Sequence, residues 1–342
     1  MPQRTKHNEI NVKVTMKDVA LAAGVSQSTV SFVLNGQEDM RIGADTKERV
    51  LKAAETLGYR YRPAGRPSAW ARHKVIGIMI DEIATSPFGA ISIEGVQERA
   101  WSAGVMTEIV MTGGDRSYEQ EMLQKWARDG VEGVIYASIL TREVEPPIAL
   151  RKHRAVLLNC HDKASQFAAV VPAERRGGYA AAAALIAEGY QRIAFITGET
   201  WMEASEQRRE GYMKAMADHG LMVDPALVRP GNFLPSGGRA ATIDLLDLSE
   251  RPEAIFCAND LMAVGCYEAI KERGLRVGAD IAVVGYDDQE IAQHLAPALS
   301  TVLLPHREMG IWCVRQLLKK SEIKPHVERL TCPFVPRVSH HR

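Results

Sequence analysis

Residues 14–36 read VTMKDVALAAGVSQSTVSFVLNG, and this stretch predicts two short helices joined by a tight turn. Thr15, followed three positions later by Asp18, has the spacing of a capping box at the start of the first helix. Gly24 lies where the chain must turn sharply, a position that favours a residue tolerant of positive φ. Ser26 is a typical N-cap for the helix that follows.

The second predicted helix covers residues 27–34, and a third covers residues 45–57 with four inward positions, Val50, Leu51, Ala54 and Leu57. In a helix-turn-helix unit the second helix enters the major groove of DNA with its first turn facing base edges. Small polar residues at the start of that helix allow close approach and can bond both bases and phosphates. A three-helix interaction module without nucleic acid is the alternative on this pattern alone.

The charge of the chain is uneven along its length. Its 342 residues include 42 Lys and Arg and 42 Asp and Glu, so the formal net charge is zero. Residues 1–74, however, contain 13 basic and 7 acidic residues, which leaves the remainder acidic. A basic segment joined to an acidic body is typical of a protein whose one end binds a polyanion.

Composition excludes several classes of protein. With 46% hydrophobic residues, 27 Gly and 16 Pro, the chain is neither disordered nor collagen-like. Its longest apolar runs fall well short of the ~20 residues that a membrane span needs, and the N-terminal residues lack the apolar core of a secretory signal, so we expect a cytoplasmic protein with no membrane contact. Five scattered cysteines without a C-x-x-C pair favour buried thiols over a disulfide or zinc site.

From residue 75 onward, short β-rich runs alternate with amphipathic helices. Near-continuous apolar strands between helices indicate parallel sheets covered on both faces, and the number of strands favours two doubly wound lobes over a single sheet. Because ligands bind such lobes beyond the carboxyl ends of the strands, we expect a site in the cleft between the lobes. The predicted strands are residues 75–80, 107–111, 133–137, 155–159, 192–197, 254–258, 281–285 and 329–335.

The helix-turn-helix stretch resembles the headpiece of the LacI/GalR family of bacterial transcriptional regulators. The resemblance implies an α+β multidomain fold, with a three-helix headpiece and an α/β body like a periplasmic binding protein, built of two doubly wound parallel-sheet lobes. It continues through the segments TKERVL (46–51), LGY (57–59), RIAFI (192–196), RREGY (208–212), ANDLMA (258–263) and VVGYDD (283–288). By this resemblance, eight headpiece residues match positions that contact operator DNA: Met16, Lys17, Ser26, Gln27, Ser28, Thr29, Ser31 and Asn35.

Members of the family carry, after the headpiece, a hinge that becomes helical on the operator and inserts an apolar side chain, usually Leu, into the minor groove. A gapless count from Tyr59 places Ser68 at that position here. Pro67 can begin a helix, whereas Pro63 would break one that started earlier. We expect Trp70 to supply the apolar wedge or to pack the two hinges of a dimer together; the alternative is that Trp70 covers the top of the body.

The resemblance also implies a small-molecule effector site between the lobes. An Arg, an Asp and an Asn amide that converge on one cleft suit a polyol, because each hydroxyl both donates and accepts. The two aromatic candidates match or lie near positions that stack on a ring in relatives, although core packing is the alternative for each, as a surface ion pair is for the Arg. The predicted effector contacts are Asp81, Phe88, Arg208, Phe233, Asn259 and Asp287.

One place departs from the family pattern. Ala173 and Glu174 stand where many relatives have Asp-Asn before a pair of glycines, so no effector contact is carried over to them. The sequence contains no P-loop, no G-x-G-x-x-G after a strand, no G-x-S-x-G and no H-E-x-x-H. His340 and His341 have no further ligand at useful spacing in the sequence. We therefore expect no catalytic residue, no metal site and no cofactor.

Together with the pattern, the resemblance implies a sequence-specific DNA-binding regulator, in particular a repressor, that acts as a homodimer on a pseudo-palindromic operator. It also implies a sugar or sugar acid as the effector, with a nucleoside or purine as the alternative. A cytoplasmic sugar-binding protein and an enzyme on a doubly wound scaffold are the alternative functions. No heptad helix follows the last predicted strand, which favours a dimer over a tetramer.

The predicted domains are a DNA-binding headpiece at 1–61, a hinge at 62–74 and an effector-binding and dimerisation domain at 75–342. Within the body, we expect one lobe at about 75–172 and 303–330 and the other at about 173–302 and 331–342.

Overall fold

A computed structural model describes residues 14–34, 42–57, 59, 74–81 and 87–341. The chain divides into two compact units, residues 1–73 and residues 74–342, and each is described by itself. The predicted hinge lies outside the described residues except for Lys74, and so do Asn35 and Trp70. No helix among the described residues is long and apolar enough to cross a membrane.

The first unit contains three helices, Met16–Ala23 (α1), Gln27–Leu34 (α2) and Ala44–Thr56 (α3). The Asp18 carboxylate accepts from the backbone N–H and the hydroxyl of Thr15, both at 2.7 Å, which begins α1 as predicted. Gly24 follows α1 with φ of 63°, the left-handed conformation that the turn requires. The apolar sides of the helices meet in one core, made of Val19, Ala20, Ala23, Val30, Val50 and Ala54.

The prediction that Leu51 points inward is wrong. Its side chain is 54% exposed, whereas its neighbour Val50 is fully buried. Helix α3 turns a narrow apolar stripe toward α1, and Leu51 falls just outside that stripe because it lies one residue past Val50.

The body begins with a lobe built on a six-stranded sheet. Its strands are Lys74–Ile80 (β1), Val105–Met111 (β2), Gly133–Val144 (β3), Ala155–Asp162 (β4), Ala168–Pro172 (β5) and His326–Leu330 (β11). All neighbouring strands are parallel, in the order β11-β5-β4-β3-β1-β2. Ile78 of β1 pairs with Ile109 on one side and with Ile135 on the other.

Helices cover both faces of this sheet. Pro87–Ser102 (α4) and His306–Leu318 (α11) pack on one face, against the side chains of Ile76 and Ile78. Arg116–Asp129 (α5) and the 3-10 helix Ile148–Lys152 pack on the other, where Trp126 is fully buried. This arrangement confirms the prediction of a parallel sheet buried on both faces.

The second lobe contains a four-stranded parallel sheet. Its strands are Ile193–Thr197 (β6), Val228–Pro230 (β7), Ala254–Cys257 (β8) and Ala282–Val284 (β9), and their order is β7-β6-β8-β9.

The helices of this lobe are Glu174–Ala187 (α6), Glu203–Asp218 (α7), Pro235–Leu246 (α8) and Asp260–Glu272 (α9), with a 3-10 turn at Pro225–Leu227 and a short helix Ile291–His294 (α10). The four long helices pack in two pairs, α6 with α7 and α8 with α9.

The single strand predicted at 329–335 is wrong. Strand β11 ends at Leu330, and a separate strand, Phe334–Val335 (β12), pairs antiparallel with Thr301–Val302 (β10) on the second lobe. Pro333 lies between the two strands, and its missing N–H prevents it from continuing a ladder. The chain thus passes between the lobes three times, at 173, at 303–305 and at 331–333.

All five cysteines are buried and free of disulfides, in agreement with the sequence.

Candidate functional site

A cavity of about 810 Å³ lies between the two lobes of the body. Asp81 is not among the described residues that line this cavity, but the other five predicted effector contacts are: Phe88, Arg208, Phe233, Asn259 and Asp287. The structure therefore brings together side chains that are up to 199 positions apart in the chain.

Arg208 lies on α7, and its guanidinium forms a buried two-point ion pair with Glu174, the first residue of α6. Nε donates to one carboxylate oxygen at 2.9 Å and Nη2 to the other at 3.0 Å. The two helices approach closely because glycines face each other there. A Cβ on Gly178 would lie 2.3 Å from the carbonyl oxygen of Arg208, and one on Gly211 would lie 2.2 Å from that of Arg175. The paired glycines thus allow the ion pair to form.

The remaining nitrogen of Arg208 is also engaged. Nη1 donates to the carbonyl oxygen of Ala258 at 2.6 Å and lies 3.4 Å from a carboxylate oxygen of Asp287, while the guanidinium stacks 3.8 Å above the Tyr286 ring. Burial opposes the charged form of Arg208, but the carboxylates of Glu174 and Asp287 outweigh it and raise the pKa of Arg208. Arg208 is therefore charged and held in one position.

Asp287 is held in a strained conformation beside this arginine. Its φ is 109°, in the region that favours glycine, and such strain is often retained at a binding site. Its second carboxylate oxygen accepts from the Gln289 side-chain amide at 3.1 Å. Burial raises the pKa of Asp287 to about 7, although Arg208 acts in the opposite direction. The carboxyl group can therefore accept or donate a hydrogen bond to a ligand near neutral pH.

Asn259 positions Phe233 in the cavity. The Asn259 side-chain oxygen caps α9 by accepting from the N–H of Met262 at 2.8 Å, and its NH2 group donates to the carbonyl oxygen of Phe233 at 3.0 Å. Phe233 has φ of 59°, and its ring fills the space that a Cβ on Gly198 would occupy. Both polar atoms of Asn259 are thus used by the protein.

Phe88 stacks on His306, a residue that sequence reasoning missed. The ring centroids are 4.9 Å apart with an angle of 25° between the planes. His306 is buried, its Nδ1 lies 3.4 Å from the Ser92 hydroxyl, and its Nε2 has no hydrogen-bond partner among the described residues. Burial and the charge of Arg208 lower the pKa of His306 to about 3, so the ring is neutral at pH 7. It offers one unsatisfied polar atom and one flat face to a ligand.

Asp81 acts behind the cavity wall. Its carboxylate accepts from the Ser138 hydroxyl at 2.7 Å, from the backbone N–H of Ile139 at 3.1 Å and from Arg142 at 2.8 Å. Ile139 and Arg142 line the cavity. Asp81 therefore helps to hold in place the part of β3 that lines the cavity.

Glu174 and Asn159 are among the polar residues that line the cavity without having been predicted as contacts. No effector contact was carried over to Glu174, because this residue departs from the family pattern. Its ion-pair partner, Arg208, is 34 positions away. Asn159 ends the strand predicted at 155–159, has φ of 56° and donates to the carbonyl oxygens of Ser138 and Ile139. The carboxyl-end rule for parallel strands could have identified Asn159.

A contact between a histidine and a carboxylate joins the two lobes at the rim of the cavity. Nε2 of His161, on β4 of the first lobe, lies 2.9 Å from a carboxylate oxygen of Glu203, the first residue of α7 in the second lobe. Both side chains are mostly buried, at 21% and 28% exposed. The pair links the lobes across the cavity mouth.

The headpiece presents a polar surface at the start of α2. The Ser26 hydroxyl accepts from the N–H of Thr29 at 3.1 Å and so caps the helix, while Gln27 and Ser28 are exposed beside it. Lys17 is exposed on α1, and Met16 and Ser31 are half-buried. Of the residues predicted to contact DNA, those that the structure describes thus lie on α1 and the first turns of α2.

The headpiece, the two-lobed body and the cavity define a class of protein, the ligand-responsive transcriptional regulator. Residues 15–61 match the family model of bacterial regulatory proteins of the lacI family, and residues 182–340 match that of the periplasmic binding protein-like domain.

Similar proteins extend this match over most of the chain. The HTH-type transcriptional repressor PurR of Vibrio atlanticus (strain LGP32) is 31% identical over 92% of this chain and 94% of its own length. The ribose operon repressor of Haemophilus influenzae is 32% identical over 90% and 91%. A crystal structure of the lac repressor dimer bound to operator and the anti-inducer ONPF covers 96% of this chain and 99% of its own, with a TM-score of 0.66 and 27% identity.

The chain belongs to the LacI family of bacterial regulatory proteins. It is a DNA-binding transcriptional repressor with an effector-binding domain.

Proposed function

We propose that a neutral sugar or related polyol is the effector, bound in the cavity between the lobes. The observation that carries this proposal is the state of Arg208, whose charge is already balanced by Glu174 and Asp287. An effector carboxylate would compete with two buried carboxylates for one guanidinium. A polyol needs no such exchange, because its hydroxyls can donate to Asp287 and accept from nearby donors.

The charges around the cavity support the same choice. Arg142, the other arginine that lines it, pairs with Asp81. Five acidic side chains line the cavity against these two arginines: Glu143, Glu174, Glu199, Glu203 and Asp287. This excess of negative charge disfavours a sugar acid, which the sequence left as an equal choice.

A second effector class, a purine or nucleoside, is favoured by a different observation. The face of the Phe88 and His306 pair and the ring of Phe233 line the same cavity. Flat rings stack on such surfaces, and the unpartnered Nε2 of His306 could bond a ring nitrogen. The test must therefore separate polyols from planar bases.

We further propose a homodimer on a pseudo-palindromic operator, with Met16, Lys17, Ser26, Gln27, Ser28, Thr29 and Ser31 at the DNA. Effector binding then changes the angle between the lobes and hence the operator affinity. Such coupling requires that the effector bind the two states with different affinity. The lac repressor structure, a dimer on its operator with a small molecule, supports this arrangement.

The experiment is a thermal-shift screen of the full chain against neutral pentoses and hexoses, the matching sugar acids, and purine bases and nucleosides. A ligand at about 100 times its Kd stabilises the folded state by about 2.7 kcal/mol, which such a screen detects. We expect shifts with neutral sugars, and weaker or no shifts with the matching acids. Shifts with purines alone would favour the second class.

Each hit is then titrated into a complex of the full chain with operator DNA, and the change in DNA affinity is read by fluorescence anisotropy. Asp287→Asn should weaken the effect of a sugar, whereas Lys214→Met, on the outer surface of α7, should leave it intact. A hit whose effect is the same in both variants would contradict the proposed site.

A further inference from the structure

The end of the chain is fixed to the second lobe by a set of hydrogen bonds through Ser339. Its hydroxyl donates to the carbonyl oxygen of Val283 at 2.6 Å and accepts from the N–H of Ser300 at 2.8 Å. Its carbonyl oxygen accepts from the N–H of Val283 at 2.9 Å, and its N–H donates to the carbonyl oxygen of Ala298 at 3.1 Å. The next two residues, His340 and His341, are therefore held at a defined place.

A third metal-binding side chain meets the two histidines there. Glu188, the C-cap residue of α6, places a carboxylate oxygen 3.3 Å from Nδ1 of His341. The rings of His340 and His341 have centroids 4.0 Å apart. One nitrogen from each histidine and one oxygen from Glu188 all lie within 4.8 Å of one another. Among the described residues, no other group of three His, Cys, Asp or Glu side chains has this spacing.

His340 is oriented as a metal-binding histidine usually is. Its Nδ1 shares a 2.7 Å hydrogen bond with the Ser300 hydroxyl, and its ring packs edge-on against Phe334. A hydrogen bond to one ring nitrogen fixes the ring and leaves the other, here Nε2, for an ion.

We propose that Glu188, His340 and His341 bind one Zn²⁺ ion, with water in the fourth position. Two imidazoles and a carboxylate are ligands that suit Zn²⁺. In a tetrahedral zinc site the ligand atoms lie about 3.3 Å apart, given metal–ligand distances near 2.1 Å. The Glu188 and His341 atoms already have this spacing. The side chains of His341 and Glu188 are 55% and 30% exposed. They can therefore rotate by the small amount needed to bring all three ligand atoms to this spacing.

The ion would join two parts of the lobe that are 152 positions apart, the end of α6 and the end of the chain. Helix α6 begins at the cavity with Glu174 and ends at this cluster with Glu188. The site is therefore a structural one that fixes both the tail and the helix that carries a cavity residue. Without an ion, Glu188 and His341 make a partly exposed polar contact of small effect.

The test uses the full chain without an added histidine tag, stripped with a chelator and titrated with Zn²⁺ against a chromogenic competitor. We expect one tight Zn²⁺ per chain, and a melting temperature that rises with Zn²⁺ because the ion binds the folded state. His341→Ala and Glu188→Gln change partly exposed side chains, and each should weaken Zn²⁺ binding at least tenfold and abolish the thermal shift. Co²⁺ in place of Zn²⁺ should give the intense visible absorption of a tetrahedral site.

The matched control is His294→Ala. His294 is an exposed histidine on the same lobe whose imidazole lies 3.9 Å from Glu290, a pair with two ligands instead of three. This variant should bind Zn²⁺ as the unaltered chain does. The proposal is overturned if the unaltered chain binds no stoichiometric Zn²⁺, or if His341→Ala and Glu188→Gln bind it as tightly as His294→Ala.

Discussion

Arg208 and Glu174 form a two-point ion pair between α7 and α6 with both side chains at least 95% buried. Arg208 is thus as much a part of the structure of the second lobe as of the cavity. A variant that removes it would remove a proposed effector contact and leave a buried carboxylate unpaired, so loss of effector response alone would not distinguish the two effects. Tests of the cavity therefore need other residues, and tests of the pair need a stability measurement.

The first prediction concerns this pair. Glu174→Ala should lower the free energy of unfolding by about 3–5 kcal/mol, because it leaves the Arg208 charge buried without its main partner. Urea unfolding of the full chain measures the change. The control is Glu272→Ala, which removes the exposed partner of Arg239 at the outer ends of α8 and α9 and should have little effect. Equal losses in the two variants would show that the buried pair has no special role.

The second prediction follows from the pKa of Asp287, which is raised from 3.8 to about 7. Between these two values the folded chain binds a proton that the unfolded chain has lost, so this group makes the fold less stable as pH rises through the window. Asp287→Asn cannot ionise and escapes this loss. The stability of the variant relative to the unaltered chain should therefore increase from about pH 4 to about pH 8.

Urea unfolding of both proteins across this pH range measures that difference. Other buried groups, such as His306, titrate in both proteins. Their contributions to the pH dependence therefore largely cancel in the difference between the two free energies of unfolding. A stability difference that stays constant with pH would mean that Asp287 is ionised throughout.

The third prediction concerns the contact between His161 and Glu203, which joins the lobes. His161→Ala should weaken effector binding roughly two- to fivefold, because the contact stabilises the arrangement of the lobes around the cavity by the modest amount typical of a partly exposed polar contact. Isothermal titration with the effector found in the screen measures the affinity. Lys214→Met breaks an ion pair within α7 alone and should leave the affinity unchanged. Tighter binding by His161→Ala would mean that the contact instead opposes that arrangement.

The fourth prediction separates base reading from helix capping in the headpiece. Gln27→Ala should change the relative affinity for operators that differ at one base pair by about 1–3 kcal/mol. Ser26→Ala removes the cap of α2, so it should weaken binding to all operators alike and lower headpiece stability. Anisotropy titrations against a panel of single-base variants distinguish the two outcomes. A uniform loss for Gln27→Ala would place its contact on the phosphates.

The features that follow from local pattern were predictable. Apolar runs that alternate with amphipathic helices located the strands of both sheets. The spacing of Thr15, Asp18, Gly24 and Ser26 located the first two headpiece helices. Five of six predicted effector contacts meet at one cavity because parallel strands end on the same edge of a sheet. Strands β7 and β10 were missed because they contain only three and two residues. Strand β5, five buried residues between β11 and β4, was also missed.

Contacts between distant segments were not predictable in this way. Glu174 looked like a departure from the family pattern, and its function depends on how closely two glycines let α6 approach α7. Glu188 gave no signal at all, because its histidine neighbours are 152 positions further along the chain. Asp81 lies at the end of β1, where the sequence placed it, but its hydrogen bonds with Ser138 and Arg142 on β3 could not be read from the sequence.

The three chain crossings between the lobes limit how the body can move. They are hydrogen-bonded to one another, since the N–H of Ala173 donates to the carbonyl oxygen of Leu330 at 2.8 Å and that of Leu303 to Pro333 at 2.9 Å. Three cross-linked segments permit rotation about an axis through the connection but resist sliding and torsion of one lobe against the other. We therefore expect a ligand in the cleft to act on the body through a hinge rotation about these three crossings.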